Sequence, residues 1–157
     1  MSQPARVEIT SLSSYILHSA AAADAFGAQP LTVSRAARRA GVVISAIPVL
    51  FLTMDLSMKL LRAAPALEGT TQLGYPTSVL VPLGVIQLGC LILYLTRRTS
   101  VLGAILWTGY LGGAVATHVR LGNPLFSHIL FPVFVGALLW LGLWLRDTRL
   151  RAVLPLS

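Results

Sequence analysis

Residues 76–96 read PTSVLVPLGVIQLGCLILYLT, 21 consecutive positions without a charged side chain. A helix rising about 1.5 Å per residue needs roughly 20 residues to cross ~30 Å of hydrocarbon. Buried strands end after about 4 to 8 residues, and half-buried ones alternate apolar with polar; this run does neither. The stretch therefore predicts a membrane-spanning helix. Outward from it the pattern recurs three times. Residues 99–117, TSVLGAILWTGYLGGAVAT, are uncharged for 19 positions, and residues 124–145, PLFSHILFPVFVGALLWLGLWL, carry only His128 in 22. Residues 40–61, AGVVISAIPVLFLTMDLSMKLL, are free of charge except for Asp55 and Lys59 near their end. Four such runs predict an all-α integral membrane four-helix bundle occupying residues 40–157.

Composition agrees. Charged residues make up 11% of the chain, where soluble domains carry about 25%, and mean hydropathy is +0.78. A net charge of +7 raises the question of nucleic acid. Such a face needs clustered basic side chains interleaved with aromatics, whereas these arginines stand between apolar runs, so nucleic acid is excluded as a partner. The pattern instead reports orientation. Arg35, Arg38, Arg39, Arg97, Arg98, Arg146, Arg149 and Arg151 flank the runs on one side, against Lys59, Arg62 and Arg120 on the other. By the positive-inside rule both termini are expected in the cytoplasm, with residues 62–75 and 118–124 outside. Residues 1–39, with short apolar patches and mixed charge, read as a mobile basic cytoplasmic tail, neither a signal peptide nor a fifth span.

Start signals sharpen the runs. Tyr75 precedes Pro76 and Asn123 precedes Pro124, so each pair is expected to supply a cap residue and a proline at the first helical position. Pro48, Pro82 and Pro132 lie inside runs, where each frees a carbonyl four residues back and predicts a kink.

Ionisable groups in hydrocarbon cost about 2.5 to 3.5 kcal/mol at mid-helix, which makes each one a candidate for function. Asp55 and Lys59, four apart, share a helical face and can pair. Gln87 sits near the middle of its run, and its amide can bond across helices. Gly109 and Gly113 form a G-x-x-x-G pattern that Gly112 extends, so a close helix approach is expected there. Tyr110 and Thr117 fall within about 20° of each other beside that stripe. His118, Arg120 and His128 gather in HVRLGNPLFSH, residues 118–128. The two histidines are ten residues apart, which is no local ligand spacing, so no metal site is expected. The single cysteine, Cys90, allows neither an intramolecular disulfide nor a thiolate cluster. No hydrolase, redox-thiol or phosphate-loop motif is present, so the chain carries no self-contained catalytic motif.

The stretch from Leu102 to Pro155, with GYLGGAVATHVR and PLFSHILFP at its heart, resembles the C-terminal half of the DoxX-like family of small bacterial membrane proteins. FLTMDLSMKLL resembles that family's first-helix motif, with Leu56 where glycine is usual, and Asn123 stands where aspartate is common. The resemblance covers roughly residues 42–156. It implies a four-helix bundle in the bacterial cytoplasmic (inner) membrane and places Asp55, Lys59, His118, Arg120 and His128 on the family's polar positions. The family's name derives from a subunit associated with a thiosulfate:quinone oxidoreductase, although most members have no assigned activity.

Topology and resemblance together converge those five residues on the outer leaflet, with Gln87, Tyr110 and Thr117 as secondary candidates for the same polar pocket. The expected function is an accessory subunit of a quinone-linked redox system, with quinone as the candidate ligand and a membrane or peripheral redox protein as partner. At most the chain would be one subunit of a membrane oxidoreductase. Two alternatives stay open. One is a non-catalytic assembly or scaffold protein, homo-oligomeric or docked on a partner helix by its glycine face. The other is a small-solute or proton transporter, against which stands the lack of an internal repeat.

Overall fold

The computed structural model describes residues 33–153 of the chain. Helix α1 runs Arg35–Leu60 and α2 runs Ala64–Gln72. A 3-10 turn, Thr77–Val79, leads into α3, Leu80–Leu95, and α4 follows as Ser100–Arg120. A π-helical turn, Leu125–Ile129, leads into α5, Leu130–Arg146, and α6 spans Thr148–Val153. Four of these segments are long and apolar enough to cross a membrane: Arg35–Leu60, Thr77–Leu95, Ser100–Arg120 and Leu125–Arg146.

Each spanning helix buries a single stripe. In α1 the stripe is Gly41, Ser45, Pro48, Leu52 and Leu56, steps of three and four that follow the helical period. The opposite face is no less apolar: Val43, Ile47 and Leu50 are exposed, as are Ile86 and Ile92 on α3 and Ile105 on α4. A helix that is hydrophobic all round belongs in lipid, and the chain is a multi-pass membrane protein. The spans close into a ring in which α1 packs on α5 and α3, and α4 packs on α3 and α5. Short links make chain neighbours antiparallel, so α1 and α4 begin at one end, the arginine end, and finish at the other, the histidine end.

Small residues set the closest approaches. A methyl group on Gly41 would stand 2.7 Å from the Gly142 carbonyl oxygen, and one on Gly142 would meet the Ser45 hydroxyl. One on Gly103 would run into the Tyr94 backbone. Tyr94, fully buried, donates to the Leu139 carbonyl at 2.8 Å, so its oxygen accepts from Ser45 at 3.1 Å. One phenol thus ties α1, α3 and α5.

Several boundaries differ from those expected. The first helix begins at Arg35, capped by Ser34, whose Oγ accepts from the Ala37 amide at 3.1 Å. The expected tail otherwise falls on residues 1–32, outside the described residues. The loop of residues 62–75 contains α2, with Pro65 in its first turn. Pro76 and Pro124 are themselves the cap residues, so neither Tyr75 nor Asn123 caps a helix and neither proline opens one. Both displaced side chains take other partners, described below. The ends of α2 and α4 close with glycines at positive φ, Gly74 and Gly122, but α1 ends with Arg62 at φ 52. The Ala63 amide reaches back to the Met58 carbonyl at 2.9 Å, completing the same reversal without glycine.

Candidate functional site

A cavity of about 570 Å³ opens between the spans toward the histidine end. Its walls are apolar, with Phe51, Leu83, Leu111, Phe131 and Val135 among them, and Phe51 and Phe131 meet edge to face at 5.0 Å. The polar side chains on it come from α1, α3, α4 and, through Thr70 and Tyr75, from the segment that carries α2. Asp55 and Lys59 stand one turn apart on α1 and form an ion pair. Gln87, from the buried stripe of α3, is 0% exposed and donates its amide nitrogen to Asp55 Oδ2 at 2.7 Å. The Asp55 carboxylate therefore receives both the Lys59 ammonium and the Gln87 amide on one oxygen.

That geometry fixes the amide. Turning it over would set Gln87 Oε1 against a carboxylate oxygen, so Oε1 remains the free end. It is buried and has no hydrogen-bond partner among the described residues. An unmet buried acceptor costs about 1–3 kcal/mol, and its natural complement is an O–H or N–H donor.

On α4, Thr117 donates to the Gly113 carbonyl at 2.9 Å, which leaves its oxygen to accept from the Tyr75 hydroxyl at 3.0 Å. Tyr75 was legible only as the residue before a proline; its place on the cavity depends on the fold of the loop that carries α2. His118 also lines the cavity. Asn123 Nδ2 donates to His118 Nδ1 at 2.8 Å, which leaves the imidazole proton on Nε2 as a donor. Tyr110 lines the cavity and meets Trp107 edge to face at 5.6 Å.

Of the five residues expected to converge, three do: Asp55, Lys59 and His118 face one cavity, joined by Gln87, Tyr110 and Thr117. Arg120 lies outside it. Its guanidinium donates to the Leu73 carbonyl at 2.9 Å and sits 5.7 Å from the Tyr75 ring, which pins the outer loop. His128 is exposed on the π-helical turn, paired with Ser127 at 2.8 Å, its ring 5.4 Å from that of His118. Among the described residues no group of three histidine, cysteine, aspartate or glutamate side chains could hold a metal.

The glycine stripe needs correcting. At Gly109, Gly112 and Gly113 an added methyl group would meet nothing within 4 Å among the described residues, so none of the described helices packs there. Gly109 and Gly113 instead line the cavity, where their lack of a side chain leaves it open. The small-residue contact lies at Gly41, Ser45 and Gly142, and its sequence signal was the four-residue spacing of Gly41 and Ser45 in AGVVIS.

Residues 43–142 match the family model described as the DoxX-like family. No curated protein matches the chain, and no solved structure does.

Proposed function

We propose, from the premise that the chain belongs to the DoxX-like family, that it is an accessory subunit of a quinone-linked redox system and holds a quinol head in the cavity. The observation that carries the reading is Gln87: a buried amide oxygen without a donor, on a cavity whose walls are otherwise mostly apolar. A quinol matches that pairing, since its hydroxyl groups donate and its isoprenoid tail prefers apolar surroundings. When bound, it supplies protons and electrons together. Gln87 Oε1 would accept from a hydroxyl, the His118 Nε2 proton would serve a second oxygen, and Asp55, already paired, would hold the Gln87 amide in place. Imidazole both accepts and donates a proton through its ring nitrogens, which suits His118 to proton exchange with a bound head group. The sequence has no flavin, haem or thiol motif, so the electrons would pass to or from a partner protein. The arginine bias supports a cavity toward the outer face of a bacterial cytoplasmic membrane.

The test is to extract the chain in mild detergent and measure isoprenoid quinones against total lipid by mass spectrometry. Enrichment is expected in the parent and a loss of about tenfold in Gly113→Leu, the equivalent of about 1.4 kcal/mol. Among the described residues nothing lies within 4 Å of the added Cβ, so its thermal stability should hold. Parent protein with no more quinone than the bulk lipid carries would end the quinone reading. The open glycine face favours a second reading, in which a partner helix docks on Gly109 and Gly112. Under that reading Gly112→Leu, which lies off the cavity, disrupts association while quinone content stays unchanged.

A further inference from the structure

At the opposite, arginine end lies a second cavity of about 720 Å³. Its basic lining comes from separate parts of the chain: Arg38 from the first turns of α1, Arg97 and Arg98 from the link after α3, Arg146 from the last turn of α5, and Arg149 from α6. Among the described residues a single carboxylate, Asp147, faces them, and its Oδ1 accepts the Arg149 backbone amide at 2.9 Å. Among the described residues the ion pair is Asp55–Lys59 at the far end, so none of these guanidinium groups is neutralised by a salt bridge.

Placement at helix ends explains part of this charge, because cations are favourable near helix C-termini. Arg151 fills that role: its guanidinium donates to the Trp144 and Leu145 carbonyls at 2.9 and 3.1 Å and takes no part in the cavity. Arg146 does something else. Its guanidinium is held 5.0 Å from the centre of the buried Tyr94 ring, and its Nη2 is buried with no acceptor among the described residues. Arg38 sits near the positive end of α1, where a cation is disfavoured. Thr99 gives α4 no side-chain cap, and Ser100, the first residue of that helix, lines the cavity, so the positive end of the α4 dipole adds to the same field. The arrangement suits an anion with several acceptor oxygens.

We propose that this cavity holds the phosphate group of an anionic phospholipid. Planar guanidinium groups converging on a small volume suit the several oxygens of a phosphate. The lipid source follows from position: the cavity lies at the ends of the membrane spans, and the half-exposed Val42 and Leu95 on its rim continue the apolar faces of α1 and α3. A headgroup seated among the arginines would leave its acyl chains along those faces, as basic pockets between spanning helices do.

Native mass spectrometry of the full chain, offered equal amounts of phosphatidylglycerol and phosphatidylcholine, reads the preference directly. Phosphatidylglycerol should be retained, and the ratio should fall by about fivefold for each guanidinium removed, in Arg146→Gln and in Arg97→Gln/Arg98→Gln. The double variant alters exposed link residues, so it keeps the test open if Arg146→Gln fails to fold. Arg151→Gln removes the same charge at the same end but outside the cavity, and its ratio should match the parent. An equal fall in Arg151→Gln, or no preference in the parent, would overturn the site in favour of diffuse surface charge. Stabilisation by inorganic phosphate without any effect of phosphatidylglycerol would overturn the lipid assignment and leave a soluble phosphate compound as the ligand.

Discussion

Asp55 gathers an ammonium and an amide on one oxygen, and this small network decides how a charged residue survives inside an apolar bundle. The Lys59 partner was legible because four residues make one turn; the Gln87 partner, 32 positions away, was not, because nothing in the order of residues sets two helices side by side. Asp55→Asn leaves Lys59 beside a neutral amide, and loss of one member of a partly buried pair should cost about 3 kcal/mol. Asp55→Asn/Lys59→Met removes both charges and should recover most of it. Thermal unfolding in detergent checks both. If the double variant were no more stable than the single one, the carboxylate's chief role would be toward Gln87 and not toward Lys59. In an Asp55→Asn background, where the amide no longer serves a carboxylate, Gln87→Met keeps the volume and removes the free acceptor, so it should lower quinone retention while unfolding stays close to that of Asp55→Asn alone. Equal quinone content in Asp55→Asn with and without Gln87→Met would remove the amide from ligand recognition.

Glycines that look alike in sequence behave oppositely once the helices are packed. Gly142 and Gly41 stand where α1 and α5 touch through their backbones, and Gly112 on α4 has no described neighbour within 4 Å of an added Cβ. Gly142→Leu should therefore destabilise by about 3 kcal/mol or more, the upper range for overpacking, whereas Gly112→Leu should leave the isolated chain near its parent stability. Circular dichroism melts in detergent compare the two directly, and a Gly142→Leu protein as stable as the parent would show that the α1–α5 contact is looser than this. Boundaries belong to the same scale. Apolar runs mark where a helix enters hydrocarbon, not where its hydrogen bonds begin, so α1 extends five residues before residue 40 through arginines that favour helix. The π-helical turn before α5 has a related origin: Pro132 cannot donate to the carbonyl four residues back, so the turn ahead of it is free to widen.

For the molecule as a whole, polarity of charge and polarity of site coincide. The arginines collect around one cavity at one end, and the Asp55–Lys59–Gln87 network lines another at the histidine end. If the arginine end faces the cytoplasm, reporter fusions after residues 68 and 122 should read outside, and those after residues 98 and 150 inside. A fusion after residue 98 that reports outside would invert the bundle and put the Asp55 cavity on the cytoplasmic face.

The run of residues 76–96 and its three counterparts settle the class and the four spans among the described residues, because in a bilayer every backbone group must be satisfied within its own helix and apolar length alone marks the crossing. Local spacing likewise paired Asp55 with Lys59. Everything that needs two helices at once was decided by packing. Gln87 meets Asp55, Tyr75 meets Thr117, and the small residues that matter are Gly41, Ser45 and Gly142, while Arg120 turns to the Leu73 carbonyl and His128 stays on the surface. The physical reason is that a lipid-facing stripe and a buried stripe are equally apolar in such a helix, so hydrophobicity does not distinguish them; only the fit of one backbone against another assigns the faces.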